Sequence, residues 1–225
     1  MEYSRFAVVV AGSDPGGWFP EIRADDFVAC ADGGYSVCKP LGIKPNIVIG
    51  DFDSLSAEDI AEIDSLGIER ITYPPEKDDT DTMLCIRYGL ERGFERFLII
   101  GGIGGAFGHT MANLQVLSFL ADSGCEAEIA AEHERILMAD GGTTDGDGEA
   151  IAAKPVVING QPGIKFSVFS YSERCTGVYI KNAKYELNDV ALTHSYPLGV
   201  SNEFTEKGPV SISVRKGRLL ILIHI

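Results

Sequence analysis

A chain of 225 residues with 45% hydrophobic and 23% charged content has the make-up of a folded globular protein, long enough for one large domain or two modest ones. Its formal charge of −14, without basic runs or a basic amphipathic helix, argues against a nucleic-acid or anionic-membrane surface. Five scattered cysteines without a C-x-x-C pair fit buried thiols in a reducing compartment, so the expected location is cytoplasmic.

The first strand is expected at 6–11, where Val8-Val9-Val10 follows a start without the pattern of a signal peptide. No apolar run approaches the roughly twenty residues that span a bilayer. From there to about Gly141, strand patterns near 27–31, 46–49, 69–73, 96–100, 126–130 and 135–138 alternate with helical patterns near 34–41, 57–66, 80–92 and 110–122. Such alternation predicts an α/β domain over residues 1–142, with a mostly parallel Rossmann-like sheet and flanking helices. The turn formers of Gly141 to Gly148 then break the pattern. Closely spaced strands at 150–152, 156–158, 165–169, 177–180, 210–214 and 219–225 predict a C-terminal antiparallel β-sandwich over residues 149–225.

Chemistry collects where the strands of the first domain run out. Ile47-Val48-Ile49 leads into Gly50-Asp51-Phe52-Asp53-Ser54, and side-chain alternation along an extended chain points Asp51 and Asp53 the same way. A turn and a helix cap at Ser54 or Ser56 explain that stretch equally well when it is taken alone. The arrangement recurs, however, at Asp32-Gly33-Gly34 and at Lys77-Asp78-Asp79-Thr80-Asp81. In an open α/β sheet these ends share one crevice, and crowded carboxylates without a Cys or His cluster favour Mg²⁺ carrying a polyphosphate. One or two of the acids at 78–81 also suit the cap of the following helix, and Lys77 serves equally as a surface charge or a phosphate contact.

The run Gly101-Gly102-Ile103-Gly104-Gly105-Ala106-Phe107-Gly108-His109 joins a strand to a helix and can cradle an anion with backbone N–H groups. It lacks the Gly-Lys-Ser/Thr ending of a P-loop, and its glycine spacing is a weak dinucleotide signal that leaves the acids unexplained. His109 reads more readily as a helix cap or core-edge residue than as a catalyst. No Ser-His-Asp or Cys-His set is suggested by spacing.

Taken in order, Asp32-Gly33-Gly34, Gly50-Asp51-Phe52-Asp53-Ser54, Lys77-Asp78-x-Thr80-Asp81, Gly104-Gly105 through His109 to Asn113, and Gly199-Val200-Ser201-Asn202 closely resemble the thiamine pyrophosphokinase family. The resemblance covers nearly the whole chain, and its second and third motifs are the specific ones. It implies a catalytic ATP-binding α/β domain, a thiamine-binding and dimerising β-sandwich, a homodimer, and Mg²⁺-dependent transfer of pyrophosphate from ATP to thiamine. By that resemblance Asp51, Asp53 and Asp78 are the expected metal ligands, with Asp32 and Asp81 supporting metal or substrate. Gly33, Gly34, Lys77, Gly104, Gly105, His109 and Asn113 fall to the nucleotide side, and Tyr185, Ser201 and Asn202 to thiamine. Tyr185 stands where the family often has tryptophan. Family members usually carry Arg-x-Asp-His after the paired glycines, whereas here Ala106, Phe107, Gly108 and His109 stand there. Lys77 and Arg70 are the cations placed to compensate, and a non-catalytic or attenuated thiamine- and nucleotide-binding homologue is the alternative reading.

Overall fold

The computed structural model describes residues 3–11, 20, 22–142 and 154–225. The chain divides into two compact units, Met1–Glu132 and His133–Ile225.

In the first unit, strands β1 (Arg5–Val10), β2 (Asp26–Ala31), β3 (Ile47–Gly50), β4 (Glu69–Thr72), β5 (Arg96–Ile100) and β6 (Glu126–Ala130) form a parallel sheet in the order β6-β5-β1-β2-β3-β4. Continuous apolar runs such as Val8-Val9-Val10 and Ile47-Val48-Ile49 suit central strands, because both faces of a parallel sheet are covered. The connecting helices are α1 (Tyr35–Cys38), α2 (Ala57–Ser65), α3 (Asp81–Glu91) and α4 (Phe107–Asp122). Ser56 and Thr80 cap α2 and α3 by accepting from the N–H groups of Asp59 and Met83.

On one face of the sheet, Val9, Cys30, Val48, Leu98 and Ile100 bury against Tyr35, Cys38, Ile63 and Ile68. On the other, Phe6 gathers Phe27, Tyr88, Phe94 and Phe97 at ring separations of 5.1 to 6.2 Å. α3 crosses this face over β1, β2 and β3, and Gly89 permits the crossing, since a Cβ there would lie 2.7 Å from the Phe97 ring. All five cysteines are free thiols, four of them buried. Among the described residues no helix is long and apolar enough to cross a membrane.

The second unit holds strands β7 (Glu134–Asp140), β8 (Val156–Ile158), β9 (Lys165–Ser170), β10 (Arg174–Lys181), β11 (Leu187–Thr193), β12 (Asn202–Glu203), β13 (Val210–Ser213) and β14 (Arg218–His224). They make two antiparallel layers, β12-β9-β14-β7 and β11-β10-β13-β8, closed over Phe166, Val178, Ile180, Phe204, Ile212 and Ile221. The expected α/β-plus-sandwich class is therefore the observed one. β7 reads in the sequence as one more strand of the first domain, yet all seven of its residues pair with β14, so the compact division falls before it and not at Gly141–Gly148. The strand expected at 150–152, like residues 143–149, lies outside the described residues.

Candidate active site

β1 to β6 run the same way, and the chain reverses its direction of growth across the sheet between β1 and β5. Ligands of open α/β sheets bind at such a switch point, outside the carboxyl ends. A cleft of about 380 Å³ lies there, lined from five strand ends: Val10 at the end of β1 and Ala11 after it, Asp32 and Gly33 after β2, Asp51 after β3, Lys77 and Asp81 after β4, and Gly104, Gly105, His109 and Asn113 after β5.

Two glycines set how closely the acids approach. A Cβ on Gly50 would lie 2.7 Å from the Cβ of Asp32, and one on Gly33 would lie 3.3 Å from that of Ser54. The loops after β2 and β3 thus pack together because those side chains are missing. Asp32 adopts φ 40° and is 5% exposed, and its Oδ1 is buried without a hydrogen-bond partner. Asp32, Asp51 and Asp53 each bring one carboxylate oxygen within 4.8 Å of the others. Alternation along an extended strand is not what brings Asp51 and Asp53 together. Phe52, at φ 62°, turns the chain between them, with the Asp53 N–H donating to Asp51 Oδ1 at 3.3 Å and the Ser54 hydroxyl to Asp53 Oδ1 at 3.0 Å.

Asp78, expected in this group, is exposed and lines a separate hollow with Met83 and Phe119. The reason lies in the helix start: Thr80 caps α3, which turns Asp81 back to the cleft and leaves Asp78 before the cap. Asp32 occupies the place in the cluster that the sequence reading gave to Asp78.

Lys77 Nζ sits 3.2 Å from Asp51 Oδ2 and 2.6 Å from Asp81 Oδ1. Burial works against its charge, but the two carboxylates hold the ammonium above its usual range. The Asp53 N–H, and after it Lys77, keeps the Asp51 carboxyl below the usual carboxylate range. Asp81 goes the other way, because burial raises its proton affinity more than Lys77 lowers it. A folded value above the unfolded one means that the stability tied to this proton is present below the usual carboxylate value and is lost as pH rises through the folded value. Asp81→Asn is therefore expected to raise the urea midpoint of chelator-treated protein at about pH 7, with the gain fading toward about pH 4. Equal midpoints at both pH values would contradict this.

The loop after β5 carries Gly104 and Gly105 at φ 108° and 61°. The Thr110 hydroxyl accepts from the Gly104 N–H at 3.3 Å, and the Asn113 amide donates to the Gly102 carbonyl at 2.8 Å. α4 begins after Ala106, which supplies no side-chain cap, and Ala106 and His109 line the cleft edge, where a helix start carries partial positive charge. His109 is exposed in that first turn and does not serve as the cap. Arg70 does not line this cleft: its guanidinium forks onto Asp64 at 2.9 and 3.2 Å and lies 5.4 Å from the Phe52 ring centre. Lys77 is the cation that the structure puts there. Gly34 is not among the residues that line the cleft, and a Cβ there would meet the Val9 carbonyl. Ser54, read in the sequence as a turn or cap residue, also lines it, as does Thr80, which caps α3 in place of the acids expected there.

In the second unit, Tyr185, Ser201 and Asn202 come together. Asn202 is buried, and its amide holds the Tyr185 backbone from both sides, accepting from the N–H at 3.0 Å and donating to the carbonyl at 2.8 Å. Tyr185 consequently projects its ring outward, 59% exposed. Ser201, at φ 60°, donates its N–H to the Ser167 hydroxyl at 3.1 Å.

Residues 20–129 match the family described as thiamin pyrophosphokinase, catalytic domain, and residues 157–219 match its vitamin B1 binding domain. Thiamin pyrophosphokinase 1 of Caenorhabditis elegans is 26% identical over 168 residues, which span 72% of this chain and 63% of that protein. Thiamine pyrophosphokinase of Bacillus subtilis is 25% identical over 181 residues, covering 80% of this chain and 79% of the relative. The crystal structure of a thiamine pyrophosphokinase from Bacillus subtilis superposes with a TM-score of 0.81 over 98% of both chains at 22% identity, a likeness of fold.

Proposed function

Because the chain belongs to the thiamin pyrophosphokinase family, we propose that it transfers pyrophosphate from ATP to the hydroxyl of thiamine, giving thiamine diphosphate and AMP. The observation that carries this reading is the buried, unpartnered Oδ1 of Asp32 beside Asp51 and Asp53 at the carboxyl ends of β2 and β3. Three carboxylates so close repel one another, and a buried acceptor left unpaired is costly, so the cluster is built for a cation. Its oxygen-only donors suit Mg²⁺, which Asp32, Asp51 and Asp53 would hold and which, when bound, neutralises polyphosphate charge.

The chain's own groups do the rest. The uncapped start of α4 and the Gly105 backbone offer N–H groups to phosphate oxygens, and Lys77 adds a cation between Asp51 and Asp81. The thiamine oxygen forms its bond to the β-phosphorus, the bond from that phosphorus to the bridging oxygen of AMP breaks, and a carboxylate of the cleft takes the hydroxyl proton. Tyr185 offers its exposed ring to thiamine, with Asn202 fixing the backbone behind it and Ser201 alongside. A cytoplasmic homodimer belongs to the same reading.

The test is product formation from ATP, Mg²⁺ and thiamine. Equal amounts of AMP and thiamine diphosphate are expected, and ADP in place of AMP would overturn the proposal. Ala106 and Gly108 favour a second reading, because the exposed start of α4 carries neither an arginine nor a carboxylate there. Thiamine binding by folded protein with no AMP release would establish that binding role instead.

A further inference from the structure

We propose that Phe52 is a positioning residue for the acid cluster, and that Arg70 locks it in place. The inference rests on the reading of Asp32, Asp51 and Asp53 as a cation site. A bulky residue at φ 62° is uncommon, and such backbone persists only where the surroundings over-determine it. Phe52 meets that condition. The residue is 8% exposed and shares a core with Leu55, Ile63 and Ile68, so the side chain anchors the loop between the sheet and α2.

Above the ring lies the Arg70 guanidinium, 5.4 Å from the ring centre, held at the same time by its fork onto Asp64 of α2. The Phe52 carbonyl also accepts from the Leu55 N–H at 3.4 Å, and the Gly50 carbonyl accepts from the Tyr73 N–H at 2.9 Å. The anchored residue sits between two carboxylates that an extended chain would splay along a strand. With Phe52 turned and pinned, Asp51 and Asp53 present oxygens to the point that Asp32 already faces. The plug therefore acts on the cation through the acids, without touching it.

Glycine adopts φ 62° freely but has no ring to pin, whereas leucine keeps an apolar plug. Mn²⁺ binding, followed by the electron paramagnetic resonance of the free ion at a temperature where each variant is folded, separates positioning from mere stability. Phe52→Gly is expected to weaken Mn²⁺ binding about tenfold or more, the usual loss when a residue supporting metal ligands is removed. Phe52→Leu is expected to restore most of the affinity. A Phe52→Gly protein that binds Mn²⁺ as tightly as wild type would overturn the proposal, even with a lowered melting temperature. If that variant does not fold, Arg70→Met, a change at the surface, decides: weaker Mn²⁺ binding supports the lock, and unchanged binding overturns it. Wild-type protein that binds no Mn²⁺ would instead sink the reading of the cluster itself.

Discussion

Replacing Asp32 with asparagine is expected to cut product formation by about 10²- to 10³-fold, the cost of removing one preorganised charge from a reacting centre, while leaving chelator-treated protein at least as stable as wild type. The two effects share one cause. Asp32 is 5% exposed, its Oδ1 has no hydrogen-bond partner, and it stands beside two more carboxylates. Without a cation this arrangement costs stability, because a buried unpaired charge is worse than a buried neutral amide of the same shape. Asparagine also tolerates the φ of 40° that the position demands, so the backbone should stay where it is.

Thermal unfolding in chelator and in Mg²⁺ or Mn²⁺ checks the stability half. Wild type should gain melting temperature with cation, since a ligand that binds only the folded state stabilises it. Asp32→Asn should start at or above the wild-type value and gain little. A variant that retains the cation-dependent gain and normal turnover would show that Asp32 is a structural turn residue.

How far the sequence foretells the fold depends on whether the signal is local. The parallel unit is legible because alternating apolar runs and helical spacings are written within each element, and α2 begins where Ser56 announces a cap, although at α3 Thr80 and not one of the neighbouring acids supplies it. β7 shows the opposite case. Glu134–Asp140 is expected as a strand following β6, yet its antiparallel pairing with Arg218–His224 at the far end of the chain is reported by no local pattern. β11 escaped because Asn188 and Asp189, the latter at φ 55°, interrupt the apolar pattern of a largely exposed or half-buried strand, and β12 because it is two residues long.

The site divides in the same way. Asp51, Asp53, Lys77 and Asp81 stand out as strand-end charges, whereas the choice of Asp32 over Asp78 depends on β2 lying beside β3 and on Gly50 leaving room for the Asp32 side chain. Gly50 precedes the acids in the sequence, but its meaning, a clearance of one methyl group, exists only across the sheet.

Gly34 to alanine is expected to destabilise the first unit by about 3 kcal/mol or more, at the upper end of overpacking costs. The sign is opposite to what helix propensity predicts. Gly34 has φ −58° and ψ −22°, ordinary helical angles, where alanine normally gains up to about 1 kcal/mol over glycine. Space reverses it: a Cβ at Gly34 would lie 2.1 Å from the Val9 carbonyl oxygen. That carbonyl cannot yield, because Val9 is fully buried in β1 and paired to Cys30 of β2 and Ile100 of β5. The turn carrying Gly34 must move instead, and Asp32 lies two residues upstream, so the same methyl group should loosen cation binding. Gly108→Ala provides the contrast within α4, since nothing lies within 4 Å of its added Cβ. It should be neutral or stabilising by less than about 1 kcal/mol. Urea unfolding followed by circular dichroism tests both, and a Gly34→Ala protein as stable as Gly108→Ala would mean that β1 and the Asp32 turn are not packed as closely as the Val9 contact requires.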